Sequence, residues 1–72
     1  MASWCMTDRP NVDWAAVNWD NLTQYKYRYT SSDSHPVAVE EFDRWRQAGL
    51  PAVMWRFDDN YSPPTKVDQR NV

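Results

Sequence analysis

Between Pro36 and Pro51 the sequence marks both ends of a helix, and this segment limits the possible folds more than any other. Ala38, Val39, Phe42 and Trp45 recur at intervals of three and four, the period of a single helical stripe. Pro36 suits a helix start, where its missing N–H costs nothing. Gly49 can take the left-handed conformation that closes a helix, and Pro51 prevents continuation. Glu40 and Glu41 lie toward the positive end and Arg44 and Arg46 toward the negative end, with Glu40 placed to pair with Arg44 one turn on. A helix over residues 36–48 follows.

The flanking segments have the other period. Tyr25, Tyr27 and Tyr29 alternate with Gln24, Lys26, Arg28 and Thr30, which predicts a strand over 23–30 with two unlike faces. Val53, Trp55 and Phe57 alternate with Ala52, Met54 and Arg56, which predicts a second strand over 52–57 ended by Asp58, Asp59 and Asn60. Joined through the helix, the two strands are expected to lie parallel with a right-handed crossover, or antiparallel if residues 31–35 loop over the sheet end. The tyrosine face and the Val53/Trp55/Phe57 face are expected to meet Phe42 and Trp45 in one aromatic core.

Residues 13–22 read as a short N-terminal helix capped by Asn11 or Asp13 and cut short by Asn18, Asp20 and Asn21. Residues 1–12 have no period and read as an irregular arm. Residues 59–72, with Pro63–Pro64 and few apolar side chains, read as a flexible polar tail. The expected fold is a small single α+β domain over 13–58: a short helix, then strand, helix and strand, with the helix on one face of a small sheet.

Composition narrows the function classes. A chain of 72 residues holds one core, and 42% hydrophobic with 25% charged residues fits an ordered soluble domain. Cys5 is the only cysteine, so an internal disulfide and a cysteine-rich zinc site are excluded, and a reducing cytoplasm is the expected setting. The longest uncharged apolar stretch, Leu50 to Trp55, is too short to span a bilayer, and the first residues do not resemble a secretory signal. A single glycine excludes glycine-rich nucleotide loops. A net charge of −2 gives no global attraction to phosphate backbones or anionic membranes.

The residues that could do chemistry have simpler readings. His35 sits beside Asp33 and Ser34, but three neighbours on one loop rarely converge as a triad beside an oxyanion site. Asp58 and Asp59 point to opposite sides of a strand end. Glu40, Glu41 and Asp43 read as a solvated helix face; Cys5 would be reactive only beside Arg9 or a helix start, and between Trp4 and Met6 it reads as a passive apolar contact. No catalysis, metal or cofactor is expected.

Two binding readings remain. The preferred one is a small non-catalytic accessory or inhibitory protein, of the kind phages and mobile elements direct at host enzymes or defence complexes. It would bind another protein through exposed aromatic and arginine residues, with Trp4, Trp14, Trp19 and Tyr61 as anchors because they lie outside the strand-helix-strand unit. A two-stranded sheet also invites completion by the N-terminal segment, a second copy in a homodimer, or a foreign chain. The alternative is a nucleic-acid module that stacks bases on Tyr25, Tyr27 and Tyr29 and holds phosphates with Lys26, Arg28 and Arg56, but alternation sends rings and cations to opposite faces.

Overall fold

The computed structural model describes residues 2–18, 24–59 and 62–71. It is an α+β fold with strands β1 (Ser3–Thr7), β2 (Tyr29–Ser32), β3 (Ala52–Phe57) and β4 (Thr65–Arg70), and helix α1 (His35–Gln47) between β2 and β3. The sheet order is β2-β1-β3-β4, and every neighbouring pair is antiparallel. Among the described residues, no helix is long and apolar enough to cross a membrane.

The segment expected as an irregular arm supplies an inner strand. β1 pairs on one side with β2 (Cys5 opposite Ser31) and on the other with β3 (Cys5 opposite Trp55). β2 and β3 therefore run in the same direction without touching, and α1 connects them past the intervening β1. Cys5, Met6 and Thr7 of β1 and Ala52, Val53, Met54 and Trp55 of β3 are all buried, so both faces of the two inner strands are covered. A strand covered on both faces has no need of alternation, which is why β1 carries no period in its sequence.

Helix α1 covers one face. Ala38, Phe42 and Trp45 pack on Met6, Ala52 and Met54, with Trp4 and Leu50 at the margin of the cluster. The helix closes in a Schellman turn: Gly49, at φ +75°, donates to the Arg46 carbonyl at 3.0 Å, and Leu50 donates to the Trp45 carbonyl at 2.9 Å. Arg44 pairs with Glu41, not with Glu40.

The expected aromatic core is corrected. Register places Ala52 and Met54 under the helix, so Val53, Trp55 and Phe57 point to the opposite face with Cys5 and Thr7. Trp14 covers that face, meeting Trp55 and Phe57 edge-on at 5.1 Å each. A buried hydrogen bond from Trp55 Nε1 to Thr7 Oγ1 (2.9 Å) ties the two inner strands, and the same hydroxyl donates to the Arg9 carbonyl at 2.8 Å.

Three further expectations change. The N-terminal helix is a single 3-10 turn over Trp14–Ala16, and Val17 is already extended; residues 19–22 lie outside the described residues. The strand read over 23–30 begins only at Tyr29, opposite Thr7, the last residue of β1, so residues 24–28 lie past the end of that partner strand; residue 23 lies outside the described residues. The C-terminal segment expected as a tail contains β4, which joins β3 through a register shift between Met54 and Trp55. Its polar composition suits an edge strand: Arg70 covers Phe42 at 4.9 Å and Lys66 covers Trp55 at 5.4 Å, so long charged side chains cover both faces of the sheet at the β4 margin.

Candidate functional site

A cleft of about 950 Å³ opens at the end of the sheet where β1 begins and β2 and β3 finish. Its lining comes from four separate stretches of chain. Ser3, Trp4 and Cys5 belong to β1; Val12, Asp13, Trp14 and Ala15 to the segment crossing the sheet face; Ser31, Ser32 and Asp33 to β2 and the residue after it; Phe57, Ser62, Pro63 and Pro64 to the end of β3 and the connection to β4. Local bonds hold these stretches in place. Asp59 Oδ1 accepts from the Ser62 amide at 2.7 Å, just before the two prolines. The Ser34 amide donates to Ser32 Oγ at 3.0 Å, and that hydroxyl donates to the Ser34 carbonyl at 3.1 Å, fixing the end of β2 against the helix start.

Two of the four expected anchors, Trp4 and Trp14, line this cleft although ten residues separate them in sequence. Neither is a free-standing ring. Trp4 stacks on His35 at 4.9 Å, and Trp14 is braced by Trp55 and Phe57. Both are half-buried, and they sit on opposite faces of the sheet: Trp4 borders the helix-side cluster, and Trp14 covers Trp55 and Phe57. Trp19 and Tyr61 lie outside the described residues.

The residues of the nucleic-acid alternative are divided between the two sides of the sheet. Tyr25, Tyr27 and Tyr29 form a tilted ladder with centroids 5.5 and 6.1 Å apart, half-buried and remote from the Phe42 and Trp45 cluster they were expected to join. The Tyr25 hydroxyl donates to the Ala16 carbonyl at 2.7 Å and accepts from the Asn18 amide, and Arg9 lies over Tyr27 at 5.1 Å. Burial pushes the Tyr27 phenol above its ordinary range, with Cys5 and Tyr25 adding to the rise and Arg9 opposing it. The cations are elsewhere: Arg28 lies over Trp45 at 5.8 Å on the helix side, and Arg56 pairs with Asp58 at 3.0 Å. Lys26 is exposed, and its carbonyl accepts from Arg9.

Ionisable groups at the cleft are few. Cys5, on its floor, is buried, and desolvation pushes its thiol up to about 12, so it is not a nucleophile at neutral pH. Asp13 and Asp33 are exposed carboxylates in the lining, which carries no Lys or Arg; among the described residues neither has an ion-pair partner. No group of three His, Cys, Asp or Glu among the described residues could hold a metal ion.

Beside the cleft runs the outer edge of β2. Just beyond the two strands the Asp8 amide donates to the Arg28 carbonyl at 3.1 Å and the Arg28 amide donates to Asp8 Oδ2 at 3.1 Å, so the backbone groups of residue 28 face the β1 side. Alternation then makes Met6/Thr30 and Trp4/Ser32 bonded pairs, and turns the backbone N–H and C=O of Tyr29 and Ser31 away from β1. β2 is last in the sheet order, so these groups face outward. Sequence reasoning missed Asp13, Asp33, Phe57, Pro63 and Pro64 as members of one site. The signal available was Pro63–Pro64 directly after a strand-ending turn, a rigid apolar pair where a flexible tail had been expected.

Comparison with protein-family models, with curated proteins and with solved structures gave no match.

Proposed function

We propose that this is a non-catalytic protein-binding module, an accessory or inhibitory protein that grips a partner at the cleft between β1, β2 and the β3–β4 connection. The observation carrying this reading is that Trp14 lines one concavity with Phe57, Pro63 and Pro64, with Trp4 of β1 at its border. Tryptophan held rigid by its neighbours contributes contact area at small entropic cost, the property of interface hot spots. The test is capture from native lysate with the intact chain and with Ala15→Arg, which places bulk and charge at an exposed cleft position without removing a core side chain. A partner in fixed stoichiometry, retained at moderate salt and by a control Val39→Arg on the outer helix face but lost with Ala15→Arg, supports the reading. A partner indifferent to Ala15→Arg overturns it. So does a nucleic acid released steeply by salt and by Lys26→Ala, the outcome belonging to the tyrosine ladder.

A further inference from the structure

The two edges of the sheet are not alike. β4 is lined with Lys66, Asp68 and Arg70 and carries a register irregularity, the features that discourage a foreign strand from pairing. β2, with the sequence Tyr-Thr-Ser-Ser, has no charge, proline or irregularity; Ser31, whose N–H and C=O face outward, lines the cleft, and Tyr29 lies two residues back along the same edge. Four residues are too few for firm pairing by backbone alone, so an occupant needs the side-chain cleft as well. The cleft is acidic: Asp13 and Asp33 line it, and among the described residues its lining carries no Lys or Arg.

We infer that β2 and the cleft together receive one extended segment of the partner protein, which adds as a fifth strand and carries a Lys or Arg next to apolar side chains. The backbone of that segment satisfies Tyr29 and Ser31, its apolar side chains lie against Trp14 and Phe57, and its cation meets Asp13 and Asp33. This rests on the protein-binding reading and makes it specific.

The probe is a displayed library of random twelve-residue peptides selected on the intact 72-residue protein. Enriched peptides are expected to contain one Lys or Arg flanked by aromatic or aliphatic residues. Binding of a selected peptide should weaken at least about tenfold with Asp13→Asn/Asp33→Asn, as for a lost interfacial charge pair. It should weaken similarly with Ser31→Pro, which removes an outward N–H that β1 does not use, while the circular dichroism spectrum and melting point stay within a few degrees of the parent. Enrichment of acidic or uncharged peptides overturns the inference, as does binding unaffected by both variants, or a self-associating chain whose dimer is abolished by Ser31→Pro. A lysate partner that is lost with Ala15→Arg but indifferent to these variants would leave the protein-binding reading standing and remove only the added strand.

Discussion

Replacing Thr7 by valine is nearly isosteric, yet it removes the one hydroxyl that serves both a buried bond to Trp55 and a partly buried bond to the Arg9 carbonyl. Thr7 is fully buried, accepts from Trp55 Nε1 at 2.9 Å and donates to the Arg9 carbonyl at 2.8 Å. Leaving a buried donor unpaired costs about 1–3 kcal/mol, so a net loss of about 2 kcal/mol is expected for Thr7→Val. For 72 residues the whole stability is about 4–11 kcal/mol, which makes that loss a large fraction. At about 4–8 °C per kcal/mol for domains of this size, Tm should fall by about 8–16 °C. Thr7→Ser keeps both bonds and sacrifices one buried methyl, about 1 kcal/mol, so it should melt above the valine variant. In Trp55→Phe the donor itself is gone, and adding Thr7→Val should then cost less than it does in the parent, a coupling near 1 kcal/mol. Urea titration followed by tryptophan fluorescence, with the slope m unchanged, measures all four. Should Thr7→Val melt with the parent while Thr7→Ser melts lower, the methyl and not the hydroxyl joins these strands, and the reasoning fails.

Phe42→Ala should lose about 3–5 kcal/mol in the same titration, because Phe42 is buried at the centre of the helix-side cluster and also carries Arg70 over its ring. A Cβ at Gly49 would meet nothing within 4 Å, so Gly49→Ala should lose only the cost of the left-handed conformation, about 1 kcal/mol, and Gly49→Asn less. Cys5 should resist alkylation in the native protein at pH 8 and react at once in denaturant. Because burial raises the Cys5 thiol from 9.0 to about 12, its contribution to stability is complete below pH 9 and lost as pH rises toward 12. Urea midpoints measured across that window should therefore fall, less steeply in Cys5→Val.

The helix was legible because its stripe, its proline start and its glycine stop are local features, and α1 ends in the turn that Gly49 implies. β3 was legible for a similar reason, as an apolar run of strand length between Pro51 and Asp58. Which face of β3 met the helix was not. Ala52 and Met54 are the smaller or more pliable pair, and Trp45 and Phe42 fill the space above them; the bulkier Trp55 and Phe57 are covered by Trp14, whose approach no local pattern announces. β1 and β4 were hidden by opposite circumstances. One is buried on both faces and so reads as aperiodic, and the other is an exposed edge and so reads as polar. The tyrosine alternation was real, with Arg28 and Tyr27 on opposite sides, but the ladder reaches only as far as β1 extends. The cleft depends on four stretches brought together by that tertiary order, so Trp4 and Trp14 could be singled out by residue type but not joined.

The position of β1 also sets a timetable. Its five residues emerge from the ribosome well before either neighbour, and Cys5 must wait for Ser31 and then for Trp55, partners 26 and 50 positions downstream. During that interval α1 can coil on its own local bonds, while an apolar strand with two unsatisfied edges stays exposed to whatever else is nearby. β1 therefore gains both of its partners only once β3 has been made, and a lone peptide of residues 2–9 offered to a nascent chain would compete for that slot.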